Sequence, residues 1–124
     1  MTALRLDTAT LPHATWDDPA KGTLTWQGLF SQGTTATDSL TCGVATIQAG
    51  QHFAAHRHAH SEVYFGLEGT GTVVIDGQPH DLSPGVALFI PGNAVHGVPH
   101  TDQTVRWFYS FAADAFADIA YTFA

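Results

Sequence analysis

The residues best equipped for chemistry sit in one short run, His56-Arg57-His58-Ala59-His60-Ser61-Glu62. Side chains two positions apart on a strand point to the same face, so His56 and His58 can present two imidazoles to one point. Glu62 follows after a short turn and, from the neighbouring strand, can return a hard anionic oxygen to that face. A further donor has to come from elsewhere. His96 follows the tight turn Pro91-Gly92-Asn93, where a strand end can reach inward. Three neutral imidazoles with one carboxylate suit a single divalent transition metal ion: Fe(II), Mn(II), Ni(II), Co(II) or Zn(II). Cys42 is the sole cysteine, which excludes a thiolate-rich structural zinc site and an internal disulfide. Such a donor set on an octahedral ion leaves positions open for water or substrate.

The run Glu62-Val63-Tyr64 adds a phenol two residues beyond the carboxylate, on the same inward face. His60 reads as a turn residue with no direct contact to an ion. His13, His52, His80 and His100 read as solvent-facing, and Cys42 as a small buried strand residue.

Strands must position these groups, and the rest of the chain supplies them. Segments 23–30, 40–48, 51–58, 62–68, 71–76, 79–82, 86–90, 95–98 and 104–112 are short, rich in Val, Ile, Thr, Phe and Tyr, and separated by Gly, Pro, Asn or Asp. Asp76-Gly77 predicts a two-residue hairpin, and Ser83-Pro84-Gly85 and Pro91-Gly92-Asn93 predict tight turns. Turns about every ten residues predict an all-β antiparallel sandwich or barrel. Residues 1–22, polar and broken by Pro12 and Pro19, predict an arm lying over a barrel made from residues 23–124. The tail reads either as a short helix from Asp114 or as a last strand near Tyr121.

With 124 residues, 44% of them hydrophobic and 12% charged, the chain fits one globular domain. A formal charge of −7, with four Lys plus Arg in all, provides no basic patch for a nucleic-acid backbone or an anionic membrane surface. No apolar run reaches the roughly 18 residues of a membrane span. These features predict a soluble, cytoplasmic protein whose partner is a small molecule. Barrels of this size often pair sheet edges, which predicts a homodimer.

The pattern Gly50-x5-His56-x-His58-x3-Glu62-x6-Gly69 resembles the first sequence motif of the cupins at every fixed position, and Gly85-x5-Pro91 with His96 resembles the second. Asn93 stands where the family usually has glycine, and His100 where it often has asparagine. Asparagine also tolerates left-handed backbone angles, so the first departure touches the turn more than the ligand. The resemblance implies a single cupin double-stranded β-helix, a jelly-roll barrel with one metal ion inside it at His56, His58, Glu62 and His96.

The stretch Arg106-Trp107-Phe108-Tyr109-Ser110-Phe111, continuing through Phe116 to Tyr121-Thr122-Phe123, is similar to the tail of small single-domain dimethylsulfoniopropionate-lyase cupins. Gly92-Asn93-Ala94-x-His96 and Leu24-Thr25-Trp26 extend the similarity. It implies β-elimination to dimethyl sulfide and acrylate, with Tyr64 as the base and Tyr121 at the place of a second functional tyrosine. A phenol near a divalent cation ionises more readily than its reference pKa of about 10 suggests. The substrate's sulfonium would need aromatic faces, and Trp26, Phe53, Tyr64, Trp107 and Tyr121 are the candidates, each worth about 1 kcal/mol. Phe53, Trp107 and Phe108 read rather as barrel core. The same four ligands would serve an Fe(II)-dependent dioxygenase or a non-catalytic small-molecule sensor, and all three readings stay open at this point.

Overall fold

Period-two alternation becomes two facing sheets in the computed structural model, which describes residues 2–124. The strands are β1 (Thr25–Phe30), β2 (Thr41–Ile47), β3 (Phe53–Arg57), β4 (Glu62–Glu68), β5 (Gly71–Ile75), β6 (Gln78–Leu82), β7 (Ala87–Ile90), β8 (His96–Val98), β9 (Val105–Phe111) and β10 (Thr122–Phe123). One sheet runs β1-β2-β9-β4-β7 and the other β10-β3-β8-β5-β6. Every pairing between these strands is antiparallel. This is the expected all-β jelly roll.

The alternation decides which residues enter the barrel. In β4, Glu62 and Tyr64 are buried while Val63 and Phe65 between them are exposed. In β9, Val105, Trp107, Tyr109 and Phe111 are buried, and the residues between them only half so. Phe108 therefore lies on the outward face and is half-buried, a correction to the expectation that it joins the core. Ile47, Val73, Leu82, Ile90, Val98, Val105, Trp107 and Phe111 form the dry part of the interior. Each fully buried aliphatic side chain contributes about 1.5–3 kcal/mol, which is the main force closing the sheets on each other.

Turns behave as their residues require. Asp76 and Gly77 both adopt positive φ, at 47° and 79°, and close the β5–β6 hairpin. Asn93 has φ 64°, the left-handed angle an asparagine can hold. Strand β3 begins at Phe53 rather than at residue 51, because Gln51 N–H donates to the Gln48 carbonyl in a turn at 2.9 Å.

Residues 2–22 carry a single 3-10 turn, Thr8–Thr10, and are tied to β1. Ala14 and Trp26 exchange backbone bonds of 2.7 and 2.9 Å, and the Gln27 side-chain amide donates to the Thr8 and Leu11 carbonyls. The otherwise free edge of β1 is thereby partly covered. Of the two readings of the tail the strand holds, because β10 adds two residues to the edge of β3, while the helix from Asp114 is reduced to a three-residue 3-10 turn at Phe116–Asp118. Cys42 is half-buried rather than buried. His52 is likewise half-buried, stacked on His100 with ring centroids 5.0 Å apart, where solvent exposure was expected of it. Among the described residues no helix is long and apolar enough to cross a membrane.

Candidate metal centre

Both sheets contribute to one polar point inside the barrel. His56 lies on β3 and His58 just beyond its end, His96 opens β8, and Glu62 opens β4 on the opposite sheet. His56 and His96 are direct register partners. The turn at Pro91-Gly92-Asn93 packs against the turn that carries His58: Asn93 N–H donates to the His58 carbonyl at 2.7 Å, and a Cβ on Gly92 would strike the Ala59 carbonyl oxygen. Only glycine permits this approach, which locks the two histidine-bearing turns together.

The four side chains are almost fully buried, with exposures of 1% for His56, 2% for His58, 4% for Glu62 and 1% for His96. One ring nitrogen from each histidine lies within 4.8 Å of those of the other two. Glu62 Oε1 lies 3.3 Å from both His58 Nε2 and His96 Nε2.

The hydrogen bonds fix the tautomers. His56 Nδ1 is 2.8 Å from the Ala54 carbonyl, His58 Nδ1 2.8 Å from the His60 carbonyl, and His96 Nδ1 2.8 Å from the Ala94 carbonyl. A carbonyl only accepts, so each Nδ1 carries the proton and each Nε2 of a neutral ring presents a lone pair. With Glu62 as a carboxylate, the 3.3 Å approaches join acceptors to acceptors and are not hydrogen bonds. All three Nε2 atoms and Glu62 Oε1 lack a hydrogen-bond partner. Buried lone pairs aimed at one another cost several kcal/mol unless something positive lies between them. A divalent cation satisfies every one of them, so this donor set fits a metal ion. The backbone carbonyls are the outer contacts that orient such ligands.

Aromatic rings hold these histidines in place. Phe53 stacks on His56 at 4.1 Å, Phe111 meets His58 edge-on at 5.2 Å, and Tyr121 lies 5.1 Å from His56 and 5.0 Å from His58. His60 stands in the turn as expected, its backbone carbonyl serving His58. Its own Nδ1 is buried without a partner.

Beside Glu62 is a small cavity of about 30 Å³, lined by Tyr64, Tyr121, Tyr109, Trp26, Trp107 and Phe53 among others. In this conformation it has room for about two water molecules, so a ligand enters only as the aromatic wall moves. Tyr64 and Tyr121, both singled out in the sequence, face it together. The sequence offered no reason to select Tyr109, whose neighbour Tyr64 becomes visible only through strand register. Burial is the main cause that pushes the Tyr64, Tyr109 and Tyr121 phenols up, and the charge of Glu62 adds to it for each. For Tyr64 the indole N–H of Trp107 acts in the opposite direction.

Burial, with repulsion from His96 next in size, holds the His56 imidazole down to about 3 in the metal-free protein, against the pull of the Ala54 carbonyl. An unfolded histidine titrates at about 6.5, so below that pH the unfolded chain takes up a proton that the folded one refuses. Stability is therefore lost as pH falls from about 6.5 towards 3, by up to about 1.4 kcal/mol per pH unit for this residue. Urea denaturation of the metal-free protein across this acidic range should show that slope, and His56→Gln should flatten it. An equal slope in parent and variant would remove His56 as its source.

A jelly roll that gathers imidazoles and a carboxylate inside its barrel is the architecture of the cupin class of proteins. Residues 43–111 match the family model of the cupin domain, and the chain belongs to that family. The chain is 38% identical to the dimethylsulfoniopropionate lyase DddW of Ruegeria pomeroyi over 118 residues, 95% of this chain and 78% of the relative. It is 34% identical to the 5-aminosalicylate 1,2-dioxygenase of a Comamonas species over 58 residues, 47% of this chain and 16% of that one. Among solved structures, the polyketide cyclase RemF from Streptomyces resistomycificus superposes with a TM-score of 0.80 at 21% identity, covering 93% of this chain and 82% of that chain, a likeness of fold alone. These relatives are enzymes with different reactions, so the barrel by itself does not name one.

Proposed function

We propose that this cupin is a metal-dependent lyase that splits dimethylsulfoniopropionate into dimethyl sulfide and acrylate, with Tyr64 as the base. The observation that carries the proposal is the lining of the inner cavity, in which Glu62 is the one charged residue and aromatic rings form most of the wall. Identity of 38% to a lyase of this substrate over most of the chain supports the same reading. His56, His58, Glu62 and His96 would hold one divalent ion. Bound there, the ion would polarise the substrate carboxylate, acidify the adjacent carbon–hydrogen bond and offset the charge of Glu62.

The chain's own residues carry the proton and hold the leaving group. Tyr64, as phenolate, takes the proton from the carbon next to the carboxylate. The electron pair of that bond becomes the carbon–carbon double bond, the carbon–sulfur bond breaks, and its pair departs with dimethyl sulfide. The proton rests on the Tyr64 oxygen. Tyr121, in ring contact with His56 and His58, orients the substrate carboxylate or passes the proton outward. Trp26, Phe53 and Trp107 offer the sulfonium aromatic faces worth about 1 kcal/mol each.

Headspace measurement tests the proposal. The metal-loaded protein should release dimethyl sulfide and acrylate in equal amounts, with or without oxygen, because elimination consumes none. Release of nothing from dimethylsulfoniopropionate would end the lyase reading. Oxygen-dependent turnover of another substrate would favour an Fe(II) dioxygenase, the second reading, which the shorter match to an aminosalicylate dioxygenase supports. Ligand binding with no turnover in either condition would favour a sensor.

A further inference from the structure

Gly28 on β1 and Gly43 on β2 are direct register partners, and the row continues through Tyr109 on β9 to Tyr64 on β4. Residues in register share a face of the sheet, so the row points into the barrel with Tyr64. The two glycines leave different spaces. A Cβ on Gly43 would collide with the Tyr109 phenol, whose ring therefore lies across the backbone of β2 towards β1. A Cβ on Gly28 would meet nothing within 4 Å. The sheet thus has a notch at this row, filled by a tyrosine on the inner side and open on the outer.

Beyond the notch lies a second cavity, a cleft of about 280 Å³ whose walls include Gly28, Ser31, Thr34 and the segment around Pro12. Trp26, Tyr109 and Phe116 line both this cleft and the inner cavity beside Glu62. The rings of Trp26 and Phe116 stand 5.9 Å apart at 62°. The cleft's lining includes neither Lys or Arg nor Asp or Glu.

We infer that this notch is the substrate portal: molecules reach the inner cavity from the cleft across Gly28 and past Trp26, Tyr109 and Phe116, which select slender zwitterions with a methylated onium head. The substrate class rests on the lyase reading, while the route rests on the geometry. A methylated onium ion has no N–H or O–H to satisfy and binds aromatic faces well, so an uncharged aromatic passage costs it little. The chain's charge of −7 raises the concentration of a positive group at the mouth of the cleft. Tyr109 is a specificity-determining residue in this scheme, kept in the passage by the missing side chain at Gly43.

The test reads ligand association rather than turnover. Zinc-loaded protein is mixed in stopped flow with the trimethylammonium analogue of the substrate, and tryptophan fluorescence follows binding. Gly28→Trp should lower the association and dissociation rates together by about tenfold or more, leaving Kd near the parent's, because a narrowed path slows both directions equally. Thr34→Trp, on the same cleft, should do the same if Gly28→Trp fails to fold. Ala55→Trp, on the other sheet in a cleft that reaches His96, should leave both rates unchanged. The neutral tert-butyl analogue should associate more slowly than the cationic one in the parent. Slowing in Ala55→Trp with parent-like rates in Gly28→Trp would reject the portal, as would loss of affinity at an unchanged association rate. Parent protein that binds neither analogue would reject the substrate class. Parent-like rates in Gly28→Trp while the parent still releases dimethyl sulfide would reject the portal alone.

Discussion

His96→Ala should lose nearly all bound metal, with affinity lower by more than the roughly 10–100-fold typical of changes outside the ligand shell itself. His96 closes the site from the β8 side: its Nε2 lone pair faces Glu62 Oε1 at 3.3 Å, and its Nδ1 proton is committed to the Ala94 carbonyl. Alanine removes the donor and leaves Glu62, His56 and His58 without a partner on that side. His56→Ala should behave alike, since the two are register partners and share the centre. Glu62→Gln keeps the shape but removes the one anionic donor, so a competing chelator should strip the metal more easily than from the parent. His60→Ala should keep nearly full occupancy, because that residue serves the site through its backbone carbonyl, which alanine retains. Elemental analysis of the purified variants decides each case. Full occupancy in His96→Ala would take that residue out of the site, and an unchanged chelator curve for Glu62→Gln would take out the carboxylate.

The convergence of His56, His58 and Glu62 was legible because it rests on local periodicity. His56 and His58 need only the two-residue repeat of a strand, and Glu62 with Tyr64 needs only the same repeat one strand later. The tautomers were not legible, since they depend on which carbonyl each Nδ1 meets after the turns are packed. Phe108 was misread because one-residue alternation in β9 gives equal credit to either face until the register with β2 and β4 fixes which is inward. His52 was misread for a similar reason: its stacking on His100 joins residues far apart in sequence. The row Gly28, Gly43, Tyr109, Tyr64 spans four strands that are not consecutive in the chain. Glycines that read as breakers in single strands acquire a purpose only when they meet side by side.

Tyr64→Phe should lower lyase turnover by about 10²–10⁴-fold, the usual contribution of a positioned base, while metal occupancy and binding of the trimethylammonium analogue stay near the parent's. The side chain is 1% exposed, follows Glu62 on the inward face of β4, and lines the cavity beside it. Phenylalanine keeps the ring that packs at 5.2 Å against Trp107, so the aromatic wall survives and only the proton acceptor is lost. The pH profile separates this role from a packing role. Without metal, burial first and the charge of Glu62 second push the Tyr64 phenol up; a bound cation would act in the opposite direction, and in either case the phenolate fraction grows as pH rises. Turnover by the parent should therefore climb with pH on its alkaline side, and the residual rate of Tyr64→Phe should lack that climb. Burial and Glu62 push Tyr121 the same way, which makes Tyr121→Phe the comparison that assigns the base. A loss confined to substrate binding in Tyr121→Phe leaves the base at Tyr64. A flat pH profile and the larger loss in Tyr121→Phe, with Tyr64→Phe nearly active, would transfer the role to Tyr121.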